Sequence, residues 1–350
     1  MKNLRDNEQY ISDVCVTAGI DIPWDKLRDT TIAISGASGM IGSFLIDVLL
    51  TGRPELGIHI IALVRNEKRA HERFAPYVSA GVVEIVPVDI NTAVPHVAHE
   101  KVDYVVHAAS NTHPRAYATE PINTLLTNVL GTEHMLSFGL KHHMERFLFI
   151  SSVEIYGQNR GDVEKFPESY CGYLDCNTLR AGYPEGKRAG EALCQAYIKE
   201  KDVDVVVTRL PRVFGPSMLP SDTKALSQFL NKAINGENIV LKSKGDQQYS
   251  YIYVADAVTG LLYSLLCGQK GEAYNVADEA MDVSLAELAR LIADYVGKDV
   301  VFELPDAVEQ AGFSKSTKAM LDSRKLKCLG WKAEFDLQNS IYRTIDIMRS

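Results

Sequence analysis

The sequence predicts an α/β protein, a doubly wound parallel sheet with a smaller C-terminal lobe. Three observations carry this. Near-continuous apolar, β-branched runs alternate with segments of helical spacing between residues 31 and 210, the pattern of strands buried on both faces. A glycine-rich turn follows the first run and opens a helix. Beyond residue 210 the alternation thins, and Pro211, Gly215 and Pro216 break the chain into loops and shorter elements.

Taken in order, residues 1–28 read as a short polar helix and an irregular lead-in, with Trp24 packing it onto the body. Thr31-Ile-Ala-Ile-Ser is the first strand, and Ile41 to Leu50 carries helical spacing. Ile58 to Val64, Gly81 to Val88 and Val102 to His107 are the next three strands. A long helix spans about 122–142 and Arg146 to Ser151 is the fifth strand. A second long helix runs over about 183–199, and Val203 to Leu210 is the sixth strand. Right-handed crossovers between such strands give a doubly wound domain over 29–210. Residues 211–350 then form mainly a second lobe, interleaved with the first rather than joined by a linker.

The 350 residues are 46% hydrophobic, enough for a substantial core, and the net charge of −8 argues against a general nucleic-acid or membrane-surface binder. No cationic, apolar leader is visible at the N-terminus, and the expected setting is the cytoplasm. The six cysteines, Cys15, Cys171, Cys176, Cys194, Cys267 and Cys328, are scattered as in a reduced protein. Cys171 and Cys176 have no second pair to complete a zinc site, so no metal is expected.

The turn after the first strand reads Gly36-Ala-Ser-Gly-Met-Ile-Gly. Glycines at this point let the backbone turn tightly and approach a pyrophosphate, which would lie on the amides at the start of the helix. Gly36, Ser38, Gly39, Met40, Ile41 and Gly42 are therefore expected to hold a dinucleotide in a Rossmann-type domain. NAD sites usually place an acid at the end of the second strand. Arg65 stands there instead and allows NADP, or is an ordinary surface arginine. Asp89 and Ile90 end the third strand on the adenine side, and Ala108, Ala109 and Ser110 line the path of the dinucleotide.

Chemistry is expected at the carboxyl edge of the sheet. The fifth strand delivers Ser152, with Glu154 two residues on as a second acid or base. Tyr183 and Lys187 stand four apart, on one helix face. An ammonium beside a phenol favours the phenolate, so Lys187 is expected to lower the Tyr183 pKa and let it take a proton from a substrate hydroxyl. Such a pair alone is also what a packed tyrosine and a solvated lysine would give. With Ser152 and the glycine turn it becomes a hydride-transfer constellation.

These motifs, in this order, resemble the extended branch of the short-chain dehydrogenase/reductase superfamily, whose glycine turn has the G-x-x-G-x-x-G spacing. The likeness runs from about residue 30 to the end and includes Asn128-Val-Leu-Gly-Thr, Phe214-Gly-Pro, Tyr253-Val-Ala-Asp and Leu329-Gly-Trp. Within the branch the chain is most similar to the UDP-glucuronate decarboxylases, through residues 120–128, 167–172 and 183–191. The resemblance implies a homodimer built on the two long helices, tightly bound NAD, with Lys187 on its ribose and Asn128 in its site, and a nucleotide-sugar substrate. Tyr183 would oxidise the sugar at C4, and decarboxylation or epimerisation would follow before the hydride returns. Arg188 is retained on the substrate side. Arg212 replaces an asparagine of the family, Ser217 an arginine, and Tyr249 another arginine, so base and sugar stay open. Two other functions also fit: an NADPH-dependent reductase, and a non-catalytic dinucleotide sensor.

Overall fold

The computed structural model describes residues 4–112, 117, 119–219, 222–303 and 317–350. Strands β1 (Thr31–Ser35), β2 (His59–Val64), β3 (Val83–Pro87), β4 (Tyr104–His107), β5 (Arg146–Ser152) and β6 (Val205–Leu210) form the large sheet. A short strand at Ala273–Asn275 completes it, and the spatial order is 273–275, β6, β5, β4, β1, β2, β3, with every pairing parallel. The order reverses at β1, whose neighbours are β4 and β2. In open sheets of this kind that switch point makes a crevice at the carboxyl ends.

The helices that flank the sheet follow from the sequence pattern. Helix α1 (Glu8–Ala18) is capped by Asn7, whose side chain accepts from the Tyr10 amide at 2.9 Å. It lies on α2 (Met40–Leu50), where Tyr10 donates at 2.6 Å to the buried Asp47, which also pairs with Arg73. The N-terminal lead-in is thus locked to the sheet layer, and Trp24 is buried with its indole donating to Ile20. Helix α3 (Glu67–Ser79) follows β2. Helices α4 (Pro121–Lys141) and α5 (Gly182–Lys201) are the two long ones, and they pack against each other on one face of the sheet. Gly186 and Gly190 of α5 allow this closeness: a side chain at Gly190 would meet the Phe149 ring at 2.6 Å and the Asn128 carbonyl at 3.0 Å.

The sequence reading placed the first six strands and the long helices to within one or two residues. It gave no strand at 273–275, which is only three residues long and takes its place by pairing with β6. The later chain returns to the sheet through helix 254–267, buried over nearly its whole surface. A separate small sheet centres on strand 248–253, which pairs with 212–214, 282–284 and 318–319. That small sheet stands beside the carboxyl edge and brings Arg212 and Tyr249 toward Glu154. No helix among the described residues is long and apolar enough to cross a membrane.

Candidate active site

The glycine turn joins β1 to α2. Gly36 has φ +69°, and a Cβ there would lie 2.9 Å from the Ala109 backbone. At Gly42 a Cβ would come within 2.7 Å of the Gly36 carbonyl oxygen. Both positions therefore exclude any side chain without a backbone shift, and the turn and the segment just after β4 approach backbone to backbone. Gly39 is the cap of α2, with no side-chain partner for the amides of the first turn. A helix start left uncapped beside a glycine cradle is what a pyrophosphate needs, so these residues fit a dinucleotide.

Behind the turn, the Ser35 hydroxyl meets His107 Nδ1 at 2.7 Å and accepts from the Ala109 amide at 3.2 Å. His107 is fully buried, and burial holds its pKa well below the usual range, so the ring is neutral. The Ser110 hydroxyl donates to Asn128 Oδ1 at 2.9 Å, and Asn128 in turn donates to the Thr124 carbonyl at 2.8 Å. Asn128 thereby ties the 108–110 strand end to α4. Arg65 is exposed and donates at 3.3 Å to Asn111. Asp89 is exposed and accepts from the Asn91 amide, whereas Ile90 is buried against Gly131 of α4.

At the chemical end, Ser152 closes β5 in extended conformation and starts a 3-10 turn over Val153–Tyr156, accepting from the Glu154 amide at 3.2 Å. Its hydroxyl lies near enough to the Tyr183 phenol, on the first turn of α5, to favour the phenolate. Tyr183 stacks on Tyr117, with ring centroids 5.1 Å apart. Ser152 and Tyr183 thus lie near each other at the carboxyl edge of the sheet.

One of the two roles expected of Lys187, lowering the Tyr183 pKa, is opposed by burial. The lysine is 2% exposed, its ammonium donates to the Ile150 carbonyl at 2.7 Å, and it lies 4.8 Å from the Phe149 ring centroid. Burial pulls its pKa down to about 7, against a smaller opposing pull from Glu191. The Tyr183 pKa goes the other way, up to about 12, because burial outweighs the pull of Ser152. In the protein alone, then, Lys187 does not bring the phenol toward neutral. Helical spacing put both groups on one face, but desolvation is the larger effect on each.

Glu154 is paired with a residue that sequence reading passed over. Arg180 stands just ahead of α5 and reaches both Glu154 carboxylate oxygens at 3.0 Å, with each side chain 24% exposed. Burial pushes the carboxyl up, but Arg180 and then Arg212 more than offset this, and Glu154 is held below the usual carboxylate range. It is an anion at neutral pH. The Arg212 guanidinium lies 3.4 Å from the centroid of the Tyr249 ring. Its Nη1 is buried and has no hydrogen-bond partner among the described residues. Arg188 is placed differently from the substrate-side role expected of it. Its guanidinium donates to the Ile155 and Gly172 carbonyls, both at 2.7 Å, and so braces the turn that carries Glu154. The missed members, Arg180 and Tyr117, carried no motif. The signal open to a reader was an arginine three residues ahead of Tyr183.

Comparison with known proteins agrees with this geometry. The model of the NAD dependent epimerase/dehydratase family matches residues 32–277. The chain belongs to this family. It is 32% identical to UDP-glucuronic acid decarboxylase 1 of Xenopus tropicalis, over 91% of this chain and 72% of the relative. Among solved structures it resembles a UDP-glucose 4-epimerase of Thermotoga maritima (TM-score 0.77, 22% identity, 91% of this chain and 99% of the other). It also resembles the UDP-glucuronic acid 4-epimerase of Bacillus cereus in complex with UDP-glucuronic acid and NAD (TM-score 0.74, 19% identity, 91% and 99%).

Proposed function

We propose that this protein decarboxylates a nucleotide-linked uronic acid, UDP-glucuronic acid being the first candidate, with NAD held in place through each turnover. The observation that carries this reading is the group of Glu154, Arg180 and Arg212 beside the Ser152–Tyr183 pair. Two guanidiniums around one carboxylate leave a positive surplus, and the unpartnered Arg212 Nη1 is a donor suited to an anionic substrate. Support comes also from the decarboxylase relative, which is similar along most of both chains.

The residues would divide the work as follows. Gly36, Ser38, Gly39, Met40, Ile41 and Gly42 receive the pyrophosphate, with Asp89, Ile90, Ala108, Ala109 and Ser110 along the rest of the dinucleotide and Lys187 on a ribose. The bound nicotinamide supplies a hydride acceptor, later the hydride donor, and a positive charge. Ser152 and Tyr183 share the C4 hydroxyl, and Tyr183 removes its proton as that carbon becomes a ketone. The C5–carboxylate bond then breaks, carbon dioxide leaves, and the electron pair is held as an enolate that takes a proton at C5. Glu154, fixed by Arg180, orients the ring at that carbon. Tyr183 returns its proton to the C4 oxygen when the ketone is reduced. Arg65 leaves room for a 2′-phosphate, but NAD is the cofactor of the solved relatives whose bound dinucleotide is named.

A second copy of the chain is the proposed partner. Ile122, Leu126 and Leu130 lie at four-residue steps along α4 and are exposed, Ile122 at 75%. Light scattering that gives a monomer mass would refute this. All six cysteines are free, which suits a reducing cytoplasm.

The test is incubation of the purified protein with UDP-glucuronic acid, with mass analysis of the nucleotide sugar and measurement of carbon dioxide. The expected product is a UDP-pentose formed without net change in NAD redox state, and Tyr183→Phe should form none while still carrying nucleotide. A UDP-hexuronate of unchanged mass but altered stereochemistry would make the enzyme an epimerase. Stoichiometric consumption of NADPH would make it a reductase.

A further inference from the structure

Three side chains meet at the amino edge of the large sheet, the edge opposite Ser152 and the glycine turn. His59 opens β2, Glu84 is the second residue of β3, and His99 lies between β3 and β4. Register pairs Glu84 with Ile61, two residues on from His59, so strand alternation puts both side chains on one face of the sheet. One ligand atom from each of the three lies within 4.8 Å of the other two. His99 Nε2 is 2.9 Å from a Glu84 carboxylate oxygen, and the two imidazole rings are 5.0 Å apart.

The Glu84–His99 pair alone would be an ordinary ion pair. It leaves His59 unexplained. His59 Nε2 is buried and has no hydrogen-bond partner among the described residues. With the ring protonated on Nδ1, Nε2 presents a lone pair beside the carboxylate, as a metal-binding histidine does. A further contact steadies His99: His142 Nδ1 bonds its carbonyl at 2.8 Å, and the His142 carbonyl accepts from the Val102 amide at 2.9 Å.

We propose that His59, Glu84 and His99 bind one zinc ion, with water in the fourth position, and that the ion clasps the segment before β4 to the sheet edge. Two imidazoles and one carboxylate suit zinc rather than magnesium or calcium, which prefer all-oxygen sets. A tetrahedral ion with bonds near 2.0–2.1 Å holds its ligand atoms about 3.3 Å apart, so the triad closes by roughly an ångström or so on binding. The three residues are half-buried, which leaves a path for the ion. The short Cys or His spacings sought in the sequence could not reveal such a site, because its ligands come from three separate segments.

The test uses the full chain, freed of metal with a chelator and desalted. Calorimetric titration with zinc chloride should show one equivalent that is absent from His59→Ala and from His99→Ala. Cobalt chloride should give the visible absorption of a four-coordinate ion in the parent and not in those variants. Glu84→Gln keeps the shape of the triad, and it serves should the histidine variants fold poorly; it should weaken the same equivalent. Zinc should raise the melting temperature of the parent only. Absence of binding would overturn the proposal. So would equal binding by parent and variants, which would assign the ion to exposed cysteines such as Cys171 and Cys176.

Discussion

Replacing Lys187 by methionine separates the lysine's role from its cost. A lysine whose pKa falls from 10.5 to about 7 on folding loses about 3.5 pKa units. At 1.36 kcal/mol per unit this is a penalty of about 5 kcal/mol, an upper figure, carried in full wherever both folded and unfolded chains are protonated, below about pH 7. Between about 7 and 10.5 the unfolded chain holds a proton that the folded one has released. Stability of the parent therefore rises with pH there, by up to about 1.4 kcal/mol per unit. Methionine has similar length and no charge. It forfeits the hydrogen bond to the Ile150 carbonyl, a loss of roughly 1–3 kcal/mol. Lys187→Met is thus expected to be more stable than the parent at pH 6 by about 2–4 kcal/mol, and less stable near pH 10. Urea unfolding of nucleotide-free protein at several pH values measures this directly. A stability difference that stays flat from pH 6 to pH 9.5 would show that Lys187 keeps an ordinary pKa, and the reasoning from burial would fail.

Two further predictions concern the rest of the site. Gly42→Ala places a methyl 2.7 Å from the Gly36 carbonyl oxygen, so it should fold but purify without dinucleotide; nucleotide released by acid, against a circular dichroism control, decides this. Glu154→Gln should lower turnover by roughly 10²-fold, the cost of losing a group that orients the ring, while nucleotide content is unchanged. Since Arg180 and Arg212 hold Glu154 below its usual range, the acid limb of the parent's pH–rate profile should not belong to it, and a limb near pH 6 that vanishes in Glu154→Gln would contradict the assignment.

Much of the fold was legible because its strands are buried on both faces and its helices are long. Apolar runs of five or six residues, each followed by a helical pattern, leave few alternatives to a parallel sheet. The strand at 273–275 was not legible, since three residues carry no periodicity and only the β6 edge makes them a strand. The chemical site divides in the same way. Ser152 and Tyr183 were singled out by motif, and they lie near each other. Arg180 was missed because its function lies in a contact with Glu154, twenty-six residues earlier, that no local spacing encodes. Burial opposes the Lys187–Tyr183 expectation for a related reason. Spacing says which side chains share a face, but the pKa of each depends on how much water the whole fold removes.

That limit also bears on two of the three exchanged positions, Arg212 and Tyr249. Read singly, each departs from the decarboxylase pattern, one gaining a charge and the other losing one. In the structure they are neighbours: the central carbon of the Arg212 guanidinium lies over the Tyr249 ring, 3.4 Å from its centroid, and its charge acts on Glu154. With Ser217 counted, one positive charge is gained and two are lost against the expected pattern, and Arg212 is the one that acts on Glu154. A phenol face is a rigid support for a guanidinium, and stacking leaves the in-plane N–H donors free to point elsewhere. Arg212 Nη1 is such a donor. On the proposed reading, Arg212 offers an acidic sugar a positive charge from a direction of its own, and the shape of the substrate is where this chain should differ from the decarboxylases.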